Sequence, residues 1–143
     1  MIIWGGIDSD TNTVLGSGGR YNPDTDTWVP TSDSPIGVRW NHSAIWTGFE
    51  MVVWGGFASG NTTNRQGVRY DPKKDTWTLM SISNAPSGIS THKAVWTGTE
   101  MVIWEGHTSS YISALGIYYP PLEPLPELIF GGRGGSYEEP DDS

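Results

Sequence analysis

One phrase is spelled three times in this chain. MIIWGG opens it at Met1, MVVWGG returns at Met51, and MVIWEG returns at Met101. HSAIWTG (42–48) comes back as HKAVWTG (92–98), displaced by 50 residues. GGRYNPDTDTW (18–28) comes back as GVRYDPKKDTW (67–77), with Tyr21 and Tyr70 displaced by 49. Self-similarity at a fixed period marks stacked units, none of which buries its apolar face alone. The one-residue disagreement is informative. The stretch between the glycine pair and the tyrosine is shorter by one in the second copy, and the stretch after the tryptophan is longer by one. Length changes therefore fall in connections, while the connected elements keep their spacing, as loops and strands do.

The repeated pieces have strand chemistry. SAIW, MVVW and GVRY are short and rich in β-branched and aromatic residues, and they are bounded by Gly, Pro, Asn and Asp. No stretch has the length and period of a helix. WTGFEMVV and WTGTEMVI predict tight hairpins in which Gly48 and Gly98 supply a positive φ. YNPDTDTW and YDPKKDTW predict a second hairpin, with Pro23 and Pro72 presetting the turn and Asp26 and Asp75 leading into the returning strand. A full unit then runs through four strands, about Trp40–Trp46, Glu50–Gly55, Gln66–Tyr70 and Thr76–Met80. MVVW is apolar on both faces, so it needs a cover on each side. Four-stranded antiparallel sheets stacked face to face give that cover, which is the environment of a β-propeller blade.

These residues resemble the kelch repeat. Its pattern is a Gly pair closing the second strand, a Tyr-Asp-Pro near the end of the third and a Trp in the fourth. Gly55-Gly56, Tyr70-Asp71-Pro72 and Trp77 fit it, with Arg39 and His42 at the start of that unit's first strand. Gly5-Gly6, Tyr21-Asn22-Pro23 and Trp28 fit it in the preceding unit. The third unit departs: Glu105 replaces the first glycine of the pair, and no Trp follows GIYYPP (116–121). Pro124 and Pro126 are poor ladder residues where the fourth strand should lie, although ELIF (127–130) could add an edge strand. The resemblance covers residues 1–119 and implies an all-β, incomplete kelch-type β-propeller with four-stranded antiparallel blades in an open or fragmentary ring. The expected divisions are a partial blade at 1–34 holding strands two to four, a complete blade at 35–84, a partial blade at 85–121 and a Pro/Gly/acid-rich tail at 122–143, largely disordered. Propellers close with roughly 4–8 blades. The chain is expected to be part of a larger propeller, to complete a ring by self-association, or to stand as an open stack.

Charge narrows the partners. The chain has 16 acidic and 8 basic residues, which disfavours nucleic acid and anionic membrane held by charge. There is no cysteine and no apolar run near a membrane span's length of about 18 residues. Copper radical oxidases of the kelch type need a Cys joined to a Tyr, which this chain cannot make. Asp8-Ser9-Asp10-Thr11-Asn12 begins like a calcium loop, but Thr13 stands where Gly is required and Gly19 where the bidentate Glu is required. No cofactor and no metal are expected.

Residues recurring in each unit are expected to be scaffold. His42 and His92 should be hydrogen-bonded within their own blades, the repeated tryptophans should pack core and blade interfaces, and Arg20 and Arg69 should bridge blades. Binding should lie where the units differ, in the connections IDSDTNTVLGS (7–17), FASGNTTNRQ (57–66) and HTSSYISAL (107–115). In kelch proteins these loops share a face with the inter-blade connections, and that face commonly binds partners. The matching positions are Asn12, Asn61, Asn64, Arg65, His107 and Tyr111, joined by Arg39 and Trp40. The resemblance thus implies a non-enzymatic interaction module for a protein or glycan ligand, with no catalytic residues. The alternatives are part of a kelch-like carbohydrate-active or sugar-isomerising enzyme, or a non-functional gene fragment. Abundant Trp, Asn, Thr and Gly with few Lys leans toward an extracytoplasmic or secreted, bacterial protein.

Overall fold

The computed structural model describes residues 1–107 and 115–121. Ten strands run in chain order as β1 (Ile2–Asp8), β2 (Thr13–Asn22), β3 (Thr27–Pro30), β4 (Ser43–Trp46), β5 (Met51–Trp54), β6 (Gly67–Asp71), β7 (Thr76–Leu79), β8 (Lys93–Trp96), β9 (Met101–Trp104) and β10 (Leu115–Tyr118). They form three antiparallel sheets in sequence order, β1–β3, β4–β7 and β8–β10, none of them closed. The tail at 122–143, including the ELIF segment, and the bulk of the 107–115 connection lie outside the described residues.

The repeat in sequence is a repeat in conformation. Ser43 faces Trp54 across β4 and β5, and Lys93 faces Trp104 across β8 and β9. Tyr21 faces Trp28 as Tyr70 faces Trp77. Backbone angles follow the same register. Gly5 and Gly55 both have φ of +67°, Gly48 and Gly98 have +108° and +109°, and Asp26 and Asp75 both have +53°. Left-handed backbone is cheap for Gly and tolerable for Asn and Asp, which is why those types punctuate each unit. Thr91 takes +52° where the preceding unit has Asn41 at +51°. A β-branched residue there is strained.

Each interior face of β5 has its own cover. Met51 and Val53 pack with Trp4 of the first sheet and with Ile36, Val68 and Tyr70. Val52 and Trp54 pack with Met80, Ile89 and with Met101 and Ile103 of the third sheet. All four β5 residues are buried, each burial contributing on the order of 2 kcal/mol.

Two polar devices fix successive sheets. At one end, the connection leading into each sheet reaches back to the preceding glycine pair. Gly6 N–H donates to Arg39 O at 2.7 Å and Gly56 N–H to Ile89 O at 2.8 Å. A Cβ on Gly5 would lie 2.9 Å from His42 Cε1, and one on Gly55 would lie 2.9 Å from His92 Cε1. At the other end, Ser32 after β3 clasps the β6–β7 turn. Its N–H donates to Asp75 Oδ1 at 3.0 Å, its hydroxyl to Asp75 O at 2.7 Å, and its carbonyl accepts the Trp77 indole N–H at 2.9 Å. Tyr70 O–H donates to the same Asp75 carboxylate, and Arg20 Nη1 donates to Pro72 O at 2.8 Å.

Several expectations change. The histidines bind across sheets, not within one: His92 Nε2 lies 2.8 Å from Ser43 Oγ of the preceding sheet, and His42 stands edge-on to Trp4, ring centroids 5.4 Å apart. The ring of each stands over a glycine of the sheet before it, which a spacing cannot reveal. Arg20 bridges two sheets, but Arg69 pairs at 2.9 Å with Glu50 inside its own sheet. The first connection is not an open loop. β1 continues through its glycine pair, with a bulge, to Asp8 and pairs with Val14 and Leu15, so only a tight turn remains, in which Asp8 Oδ1 accepts from the N–H groups of Asp10 and Thr11. Trp28 and Trp46 are each 49% exposed, unlike Trp4 and Trp54.

Two substitutions report on this geometry. In Gly55→Ala the new Cβ would sit 2.5 Å from the Ile89 carbonyl oxygen. Denaturant titration should show a loss of about 2–4 kcal/mol, on the scale of overpacking plus backbone strain, well above that of Gly37→Ala, which has a similar φ of +64° but a Cβ that meets open space. Thr91→Asn should gain roughly 0.5–1 kcal/mol by relieving a left-handed threonine.

Candidate binding face

The connections into the second and third sheets and the β1–β2 and β5–β6 connections meet at one end of the sheets, joined by backbone. Trp40 and Phe57 exchange both backbone hydrogen bonds, at 3.1 and 2.8 Å, and Ser90 and His107 do the same at 3.0 and 2.9 Å. With the Gly6–Arg39 and Gly56–Ile89 bonds they make a continuous belt through all three sheets. Arg39 N–H also donates to Leu15 O at 3.1 Å, and Thr91 N–H to Asn41 O at 3.0 Å. Every donor and acceptor spent this way fixes a loop base that would otherwise be free.

The expected binding residues divide by position. Asn12 is exposed at the β1–β2 turn and Asn61 at the tip of the β5–β6 loop, on a short 3-10 turn (Ser59–Asn61), with φ of +53° and +56°. Their side chains are presented to solvent. Trp40 is half-buried and stacks on Phe57, ring centroids 4.9 Å apart. Among the described residues its buried indole nitrogen has no partner. Asn64 is turned to local work, its Oδ1 accepting Gln66 N–H at 2.9 Å. Arg65 spans from the loop to the next connection, donating to Ile82 O at 3.1 Å and Ala85 O at 3.0 Å. Arg39 is 2% exposed and donates to Val38 O and Gln66 Oε1. Burial lowers the pKa of its guanidinium. His107 is exposed, with its backbone tied to Ser90. Tyr111 lies outside the described residues.

The structure thus brings Trp40, Phe57, Asn61 and Asn64 to one loop base and tip, and makes Arg39 and Arg65 internal ties. Phe57 was not singled out from the sequence. Its only signal there was adjacency to the Gly55-Gly56 pair, which puts it opposite the incoming connection. Among the described residues no group of three or more His, Asp or Glu side chains converges as metal ligands would. Asp8 spends a carboxylate oxygen on its own turn, which holds its pKa below the usual value. No protein-family model matches the chain, and no curated protein matches it.

Beneath the belt lie the two histidines. Burial pushes the His92 pKa down to about 4, aided by nearby His42, and burial lowers that of His42 as well. In the unfolded chain both titrate near about 6.5. Between that value and 4 the unfolded state takes up protons that the folded His92 refuses, so stability falls as the pH falls through this window. The unfolding free energy should drop by roughly 2–3 kcal/mol from pH 7 to pH 4 on this account. His92→Gln should flatten the slope in chemical denaturation across the same range.

Proposed function

We propose that the chain is a segment of a kelch-type β-propeller and acts as a non-enzymatic interaction module, presenting the belt end of its sheets to a protein or glycan ligand. The three sheets are its blades. The observation that carries this reading is the contrast between scaffold and loop. The turn angles of Gly5 and Gly55, of Gly48 and Gly98 and of Asp26 and Asp75 agree within a few degrees, yet the connections differ. The β1–β2 connection is a tight turn, while residues 57–66 form an exposed loop over an aromatic pair. A rigid base with a variable polar tip is how recognition loops are mounted.

An aromatic face beside amides suits a sugar ring or an extended peptide. Trp40 and Phe57 supply apolar area at low entropic cost, and Asn61 supplies donor and acceptor together. The test is binding of the full chain to an immobilised glycan array and to peptide libraries. Asn61→Gly keeps the left-handed backbone and removes the amide, and Trp40→Ala removes the platform. Each should weaken a captured ligand about tenfold or more, in line with contacts worth about 1–2 kcal/mol, with circular dichroism unchanged for Asn61→Gly. Chemical turnover of a bound sugar, or binding indifferent to both substitutions, would refute the reading.

A further inference from the structure

Around the Trp40–Phe57 pair the backbone is already spent. The two residues exchange both of their backbone hydrogen bonds, at 3.1 and 2.8 Å, and Phe57 also bridges Thr63 on its other side. Beside that bridge Ala58 N–H donates to Thr62 O at 2.9 Å and Asn64 N–H to Gly56 O at 3.0 Å. On the outer side of Trp40, Arg39 N–H donates to Leu15 O, Arg39 O accepts Gly6 N–H and Asn41 O accepts Thr91 N–H. An extended peptide is held chiefly by main-chain bonds to a free strand edge. Here the edges flanking the aromatic pair are used up within the chain.

What remains for a ligand is side-chain chemistry, and nearly all of it is uncharged. No acidic residue lies between Phe57 and Gln66. The one basic residue there, Arg65, turns to the neighbouring connection and donates to Ile82 O at 3.1 Å and Ala85 O at 3.0 Å. Exposed Ser59 and Asn61 bring a hydroxyl and an amide, and among the described residues neither side chain has a protein partner. Trp40 and Phe57 are half-buried and keep apolar area beside them. The tip at Asn61 is four residues from Phe57, hence at most about 14 Å away. The base is firm: a Cβ on Gly88 would lie 2.9 Å from Asn64 C, so the 81–88 connection abuts the loop. A site formed in advance loses little freedom when it is filled.

We infer that the ligand of this loop is an uncharged glycan, an assignment that rests on the recognition role proposed above. One pyranose ring lies on the Trp40–Phe57 pair, and a neighbouring sugar unit is hydrogen-bonded by Asn61 and Ser59. A pyranose has an apolar C–H face, which suits an aromatic surface. Its hydroxyl rim both donates and accepts, as an amide and a hydroxyl do in return. The span from pair to tip is that of a short oligosaccharide. An anionic sugar is disfavoured, because its charge would find a cation only by drawing Arg65 off two carbonyls.

The probes are maltotriose, cellotriose, chitotriose and mannotriose, titrated into the isotope-labelled full chain and followed by NMR, with sialyllactose as the anionic control. At least one neutral trisaccharide should bind saturably, with a dissociation constant on the order of 1 mM or tighter. It should shift the side-chain amide of Asn61 and the indole N–H of Trp40. Its affinity should change less than about twofold between roughly 50 and 500 mM salt, because no charge pair is engaged. Phe57→Leu removes the ring and keeps an apolar side chain, and Asn61→Gly keeps the left-handed backbone. Each should weaken binding about fivefold or more at an unchanged circular dichroism spectrum. Should Phe57→Leu fail to fold, Asn61→Gly combined with Ser59→Ala gives the same readout. Absence of saturable binding by all of the neutral sugars overturns the inference. If a peptide binds instead and Asn61→Gly weakens it, the recognition role stands and the glycan assignment falls. If neither sugar nor peptide binding responds to Asn61→Gly, both fall. Binding of sialyllactose alone, lost at high salt, assigns the loop to an anionic ligand and likewise overturns the inference.

Discussion

The demand that β5 be hidden on both sides organises everything else. Met51 and Val53 point one way and Val52 and Trp54 the other, as alternate residues on a strand must. A single sheet could cover only one of these faces. Two neighbouring sheets are needed, and the chain supplies one before and one after. The junctions are built from similar parts, and among the described residues the second sheet is the one packed between two others. Trp28 is 49% exposed, while its counterpart Trp77, which packs on Trp4 of the preceding sheet, is half-buried.

Stacked apolar faces would slide without polar fixings. Backbone bonds from the glycine pairs and the Ser32 clasp on Asp75 provide them. The Arg20–Asp75 pair, at 3.9 Å and partly exposed, adds little beyond its geometry. Asp75 matters more as an acceptor. Its carboxylate takes the Tyr70 hydroxyl and the Ser32 N–H, which together lower its pKa. One side chain thus ties a tyrosine of its own sheet to the end of the previous one. Loops rooted in such a frame can vary at their tips without moving its base.

Much of this was legible before any coordinates. The period, the strand chemistry and the positive φ of Gly48 and Gly98 follow from residue types and spacing, and so does the need to cover MVVW twice. Partner choice at junctions was not legible. His92 could have met a donor in its own sheet; that it meets Ser43 of the preceding one depends on the offset between sheets, a three-dimensional quantity. Arg20 and Arg69 occupy equivalent positions, yet Arg69 is captured by Glu50 while Arg20 reaches Pro72 of the next sheet. The β1–β2 connection misled because its polar letters, DSDTN, conceal Ile7, Val14 and Leu15, whose alternation extends both strands. Of the candidate site, Asn12 and Asn61 were legible as turn residues, whereas Arg39 and Arg65 carry the same charge and polarity whether they face a ligand or a carbonyl.

The junctions also give the stack a direction. Each of the first two sheets offers a bare glycine, and the next one sets a histidine ring upon it; the second sheet adds Ser43 to hold that ring. In the third sheet both receiving positions are rewritten together. Lys93 replaces the serine and Glu105 the glycine, and their side chains meet in an ion pair at 2.7 Å. Glu105 keeps the left-handed backbone, φ +55°, but its Cβ occupies the space a histidine would need. A like sheet arriving there would have to strip water from two charges and displace a side chain. The pair therefore marks that face with two charges where the earlier sheet carries a serine and a glycine.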